Sequence, residues 1–373
     1  MMPKLSSKTP APQGPVRGSF NDRTRHSTLE HVSAAALSLA VIAPLFAATT
    51  AVIALALPST LIAAFGIRPA RLPKDAWPII VFGMAYAVRL AVPSKAEAST
   101  LASLADPLTA VVCVAFALAV AAHDRQLVCR YLGVFGIVFL ISSVPFAIAT
   151  DYRFAGLSGN PNRLVLAIVI LLPFALALTS TRPLASLVLL TCGAIVTYYT
   201  GSAQGLILFP IVVLLSIRGV RTWLPLVLYT GVIGLLTGSL LSPAVTDLLE
   251  SARQLLGDLS GRTEIYTQSW NAIRDSLFLG TGNRYLSTTS GPLSTHNSYL
   301  SLLLAGGIIT ALFALPLLWQ TVRLVMKQLP MRSPAAIALA AVSIQGLVQN
   351  FDLVPTVWCV AALLWPARDQ ETN

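Results

Sequence analysis

The residues best suited to do chemistry are one imidazole and a set of guanidiniums. His296 stands in Ser294-Thr295-His296-Asn297-Ser298-Tyr299-Leu300, where a polar stretch gives way to an apolar one, and it is one of only four histidines. A neutral imidazole can take a proton from a hydroxyl near pH 7. Arg153 and Arg163 flank the segment 150–162, while Arg253, Arg262, Arg274 and Arg284 lie in the stretch that ends at His296. Guanidinium groups grip phosphate oxygens in a bidentate fork. Several of them facing one imidazole suit a phosphorylated anionic ligand, and a sugar carried on undecaprenyl pyrophosphate has that chemistry. Its pyrophosphate can depart without a proton when arginines neutralise the developing charge. The chain contains no DxD pair, so neither a metal-held nucleotide-sugar site nor any cofactor is expected.

Each of these features also has a plain structural reading. His296 can be a hydrated residue at a helix start, and Arg262 can meet lipid phosphate or solvent. Asn160-Pro161-Asn162 is first a turn that caps the next helix, because Asn favours caps and Pro sets the bend. Arg89, inside an apolar stretch, is expected to snorkel outward past Pro93. Gly201 and Gly205 have the small-xxx-small spacing of packed helices.

The elements that position these groups follow from composition. The 373 residues are 55% hydrophobic and 11% charged, with a mean hydropathy of +0.74. Runs of roughly 20 apolar residues cross a bilayer, and here they follow one another with short polar breaks. In hydrocarbon the backbone must be satisfied internally, so these runs are helices. The fold expected is all-α and polytopic. The four cysteines lie in or beside apolar runs without CxxC spacing and read as small hydrophobes. The net charge of +10 is spread between the apolar runs rather than gathered into a groove, which argues against nucleic acid as a partner.

Residues 1–32 read as a disordered basic cytoplasmic tail without a removable signal peptide. Residues 33–373 then form a single transmembrane domain. The apolar run 33–67 is read as two spans, followed by spans near 76–93, 99–122, 127–149, 163–180, 184–200, 205–217, 223–242, 298–322, 334–351 and 355–366. That makes about 12 spans with both ends inside, and it puts 17 of the 25 Lys and Arg on the cytoplasmic side. A one-span reading of 33–67 reverses the later loops and breaks the charge rule. The outer face then holds residues 150–162 and the long loop 243–297. That loop carries amphipathic helical patterning at 245–256 and at 263–279 (Ile265, Tyr266, Trp270, Ile273, Leu277).

Three segments together resemble the O-antigen ligase and O-antigen polymerase superfamily of bacterial envelope proteins. They are Gly156-Leu-Ser-Gly-Asn160-Pro161-Asn162; Ser260-Gly261-Arg262-Thr-Glu264-Ile-Tyr266, with Trp270 and Gly280-Thr-Gly282; and His296-Asn297-Ser-Tyr-Leu300 running to Gly306-Gly307. The resemblance covers roughly residues 150–320. It implies a metal-independent, inverting glycosyltransferase in the inner membrane with its active site facing the periplasm. The donor implied is a glycan on undecaprenyl pyrophosphate, and the acceptor is a hydroxyl of lipid A-core or another glycan. It implies a pyrophosphate contact for Arg262, a general-base or acceptor-orienting role for His296, and a steadying role for Asn297. Many ligases carry an Arg just after a Gly-Ser pair. Here the segment reads Thr200-Gly201-Ser202-Ala203-Gln204-Gly205, so Arg163 or Arg153 must supply that charge, or the donor is held differently.

Three functions compete. A ligase moves the glycan to lipid A-core or another acceptor, and a polymerase moves it to a second carrier-linked repeat. A polysaccharide transporter ranks last, because transporters place ionisable groups mid-membrane at a repeat interface, whereas here they concentrate in one outer loop.

Overall fold

The computed structural model describes residues 28–46, 76–91, 102–150, 153–216, 264–282, 285–288, 291–347, 349 and 353–365. The expected span at 223–242, the expected helix at 245–256 and Arg262 lie outside the described residues.

The apolar runs form helices: α1 Thr28–Phe46, α2 Trp77–Ala91, α3 Ala102–Ala122, α4 Arg125–Ala149, α5 Pro161–Leu178, α6 Pro183–Tyr199 and α7 Ala203–Ser216. Helix α8 covers residues 264–275. A hairpin of β1 Tyr285–Thr288 and β2 Gly291–Ser294 follows, then α9 Ser298–Gln328, α10 Pro334–Gln345 and α11 Pro355–Ala362. The starts are set by local chemistry. The Asp124 carboxylate accepts from the N–H groups of Gln126 and Leu127 to cap α4. Pro183, Pro334 and Pro355 open α6, α10 and α11, where a missing N–H costs nothing. Helix α1 begins at Thr28, so the last residues of the expected tail are helical, and His31 there pairs with the Tyr131 hydroxyl at 3.2 Å.

Helix α5 is the centre of the bundle. Every residue from Leu164 to Leu176 is buried, the signature of a helix that is apolar all round, and α4, α6, α7 and α10 pack about it. Among the described residues three helices, α4, α5 and α9, are long and apolar enough to cross a membrane. Cys113, Cys129 and Cys359 are buried and outside any disulfide, as expected of small hydrophobes.

Side-chain bonds show which helix ends lie together. The Ser33 hydroxyl and Nε2 of His123 share a hydrogen bond (2.7 Å), and Arg125 donates to Gln328 Oε1 (2.8 Å) and Ser333 Oγ (3.2 Å). Gln328 donates in turn to the Leu364 carbonyl (2.7 Å). One end of the bundle therefore gathers the start of α1, the α3–α4 corner, the α9–α10 corner and the end of α11. It carries Arg125, Arg130, Arg323, Lys327 and Arg332. The opposite end gathers Asn160, Ser202, Asn297 and Leu347. Five of the basic residues expected on one side of the membrane therefore share one end of the bundle. The count of twelve spans and the full long loop extend beyond the described residues.

Three features differ from expectation. The first is the hairpin, with Tyr285 opposite Ser294 and Thr288 opposite Gly291, in a chain expected to be wholly helical. The second is a break in α9. Its 31 residues would make a rod of roughly 46 Å at 1.5 Å per residue, and Gly307 interrupts it with φ 61° and ψ −167°. The third is Arg89, which does not snorkel past the end of α2. Its guanidinium donates to the carbonyls of Leu279 and of Gly280 (the latter at 2.8 Å), because those carbonyls belong to a bend that needs donors at that depth.

Candidate functional site

The sequence-predicted groups that the structure describes assemble at the end of the bundle opposite the basic one. The first strand of the site is the turn before α5. Asn160 is exposed and caps the helix, its Oδ1 accepting from the Asn162 N–H at 2.9 Å, with Pro161 as the first helical residue. The capping reading of Asn160-Pro161-Asn162 holds. Asn162 does more: its Oδ1 accepts from the Ser202 hydroxyl at 2.8 Å, tying the turn to the Gly201-Ser202 corner between α6 and α7. Arg163 follows in the first turn of α5, half-buried. Arg153 is exposed and has a left-handed backbone, φ 65°. The next residue, Phe154, donates its N–H to the Tyr199 carbonyl at 2.8 Å. The two arginines proposed to replace the missing one therefore both flank the corner where it would stand. Gly205 lies where an added Cβ would meet Val165 at 2.8 Å and Thr197 at 2.9 Å, which is the close helix packing expected of it.

The second strand is the His296 loop. His296 is exposed and adopts φ 50°, an uncommon conformation for a residue other than glycine, though histidine is among those enriched in it. Such backbone is retained where the surroundings over-determine it, and here they do. Thr295 is fully buried and its hydroxyl donates to the Asn297 carbonyl (3.0 Å). Asn297 Oδ1 accepts from the N–H groups of Tyr299 (2.9 Å) and Leu300 (3.0 Å), capping α9. Its amide donates to the Leu347 carbonyl at 3.0 Å.

What joins the two strands is the C-terminus of α10. The last carbonyls of a helix have no intrahelical partner, and here the His296 loop supplies donors. The Ser298 N–H bonds the Gly346 carbonyl (2.9 Å) and the Ser298 hydroxyl bonds that of Gln349 (2.8 Å). Tyr299 OH reaches the Ser343 carbonyl (3.0 Å) and Tyr266 OH, from α8, reaches Leu347 (3.2 Å). Fully buried Gln345 completes the link: its amide donates to the Asn162 carbonyl (3.3 Å) and to Gln349 Oε1 (2.8 Å). An unbroken run of hydrogen bonds thus leads from Ser202 through Asn162, Gln345 and Gln349 to Ser298, two residues from His296.

Ser202, Gln345 and Gln349 were not singled out from the sequence. The available signal was a pair of amides four apart near the end of an apolar run, a costly placement in a membrane unless they have partners. Helix α8 confirms the patterning read at 263–279. Ile273 is buried against Leu304 with Ile265, Leu300 and Leu303 around them, while Trp270 is left exposed.

Fold and site together define a helical membrane protein in which Asn160, Arg163, Ser202, His296 and Asn297 lie at one end of the bundle. Residues 185–315 match the family model described as O-antigen ligase. The match covers about a third of the chain, and this stretch is similar to the O-antigen ligase family in the region that the sequence motifs pointed to. It spans the Gly201-Ser202 corner, Arg262, His296 and the Gly307 break, and begins after the Asn160 turn. No curated protein matches the chain.

Proposed function

We propose that the protein transfers a glycan from an undecaprenyl-pyrophosphate carrier to a hydroxyl of lipid A-core or of another acceptor, in a metal-independent, inverting reaction. The basic end faces the cytoplasm with both chain termini, and the His296 end faces the periplasm across the bacterial inner membrane. His296 takes the proton from the acceptor hydroxyl as that oxygen attacks the anomeric carbon, and the carrier pyrophosphate leaves from the opposite face. Arg262, with Arg163 or Arg153, neutralises the leaving pyrophosphate. Asn297 holds the loop that presents the imidazole, and Asn160 and Asn162 hold the turn that presents Arg163. Three buried polar atoms at this end, Thr197 Oγ1, Gln204 Oε1 and Gln345 Oε1, have no partner among the described residues. They offer hydrogen-bonding capacity that suits the hydroxyls of a glycan or bridging water.

The observation that supports this reading is that the His296 loop and the Asn160–Arg163 turn are both bonded to the C-terminal end of α10. The absence of Arg at 203–204 favours a second reading, a polymerase with the same donor and a carrier-linked repeat as acceptor. Deleting the gene and complementing with wild type or His296→Ala separates them. Long chains stranded on the carrier identify a ligase, and single repeats on the carrier identify a polymerase. Unchanged glycan in both pools rejects both and returns the transporter reading.

A further inference from the structure

The break in α9 sits nine residues, roughly 13 Å of helix, beyond Ser298, inside a helix long and apolar enough to cross a membrane. Backbone groups freed there must find partners inside the protein, and the segment after α8 provides them. The N–H groups of Thr281 and Gly282 donate to the carbonyls of Leu304 (2.6 Å) and Ala305 (2.9 Å). The Thr281 hydroxyl adds a bond to Leu304 (3.0 Å). Across the break, the N–H groups of Ile308 and Ile309 donate to Leu277 (2.9 Å) and Phe278 (3.1 Å). Residues 277–282 therefore replace the missing turn of α9.

The crossing is closed by two glycines with left-handed backbones, Gly280 (φ 69°) and Gly307 (φ 61°). A Cβ on Gly280 would stand 2.5 Å from the Gly307 nitrogen and 2.6 Å from the Ala305 oxygen, and a Cβ on Gly307 would collide with Gly280 and Phe278. The inserted bend leaves the carbonyls of Leu279 and Gly280 directed at α2, and these are the two that Arg89 engages. The nine residues 298–306 form a short rod between this crossing and the His296 loop. The rod is held at its outer end by α10 and at its inner end by residues 277–282.

We propose that Arg89 is a positioning residue for His296. By holding the two carbonyls of the inserted bend it fixes the inner end of the half-helix whose outer end presents the imidazole. This rests on the general-base reading of His296. A guanidinium can span adjacent carbonyls with Nε and Nη2, whereas an ammonium is a point donor.

The test uses full-length protein in detergent or nanodiscs, with carrier-linked glycan extracted from the deletion strain as donor. Arg89→Gln should lower kcat at least about tenfold with KM changed by less than about twofold, since a small misplacement of a reacting group costs turnover rather than binding. Arg89→Lys should recover part of the loss. Hydrogen exchange at the Thr281 and Gly282 amides should be at least about tenfold faster in Arg89→Gln. A kcat within about twofold of wild type, or lost turnover with unchanged exchange at 281–282, overturns the proposal. Should Arg89→Gln fail to accumulate in membranes, Arg89→Lys decides on the same two readouts. His296→Ala in the same assay keeps the two claims apart. Retained turnover there removes the general base, while an inactive His296→Ala beside a normal Arg89→Gln removes only the positioning role.

Discussion

The two ends of the rod 298–306 are fixed by different means. At the outer end, side chains do the holding: Asn297, Ser298, Tyr299 and Tyr266 donate to the frayed carbonyls of α10, and Gln345 carries the link on to Asn162. At the inner end, backbone bonds backbone, two glycines make the approach close enough, and Arg89 and the Thr281 hydroxyl add side-chain donors. A hub of side chains is adjustable, because losing one member leaves the others in place. A glycine crossing is all or nothing. The proposed chemistry sits beside the adjustable end, and the positioning proposal has it take its direction from the rigid one.

That contrast orders the consequences of mutation. Gly307→Ala should be the most damaging, because the left-handed backbone costs about 1–3 kcal/mol for a side-chain-bearing residue and the forced contact about 1–3 kcal/mol more. Membrane level and thermal midpoint should both fall, and a midpoint within about 2 °C of wild type would show that the crossing is not rigid. Gln345→Leu comes next. It leaves the Asn162 carbonyl and Gln349 Oε1 without their donor, at about 1–3 kcal/mol for a buried group left unsatisfied. It should also uncouple the Asn160 turn from the His296 loop, seen as faster hydrogen exchange at both. Asn297→Ala removes a helix cap and one tie to Leu347, about 1 kcal/mol by the usual cost of a cap, with turnover falling more than stability because the imidazole is adjacent.

The smallest effect is expected at the basic end, far from the site. His123 donates through Nδ1 to the Ala119 carbonyl (2.8 Å), and its Nε2 shares a hydrogen bond with the Ser33 hydroxyl (2.7 Å). Burial pushes its pKa below the ordinary histidine value, with the Ala119 bond and Asp124 opposing the shift. The folded protein therefore resists protonation more than the unfolded chain. This contribution is constant above about pH 6.5 and is lost as pH falls from there toward the depressed folded value. Melting curves at pH 7.5 and 5.5 should differ less for His123→Gln than for wild type.

Much of this was legible in the sequence. Long apolar runs announce helices, and the expected spans at 76–93, 99–122, 127–149 and 184–200 differ by only a few residues from α2, α3, α4 and α6. Asn160-Pro161 announces a capped start because its chemistry is local. The His296 loop was legible as a polar-to-apolar transition, whereas the cap that Asn297 provides came only with the structure. The break in α9 was not, because residues 298–322 read as one apolar run and the partner that makes the break affordable lies at Gly280, far back in the chain. Arg89 was misread for the same reason: an arginine inside an apolar stretch signals that it needs a partner, but not which carbonyls supply one. Helix α10 was expected to reach residue 351. It ends at Gln345 because the carbonyls beyond it are used by the His296 loop, and that exchange appears only when both segments are placed together.

The central claim is that His296 does the proton transfer at a site shared with the Asn160–Arg163 turn. The most direct measurement is turnover of purified His296→Ala against carrier-linked glycan, alongside a donor-binding measurement on the same sample. The account predicts turnover reduced on the order of 100-fold or more, the usual worth of a general base, with donor binding and the melting midpoint close to wild type. Turnover within about tenfold of wild type would contradict it and move the proton transfer to another group.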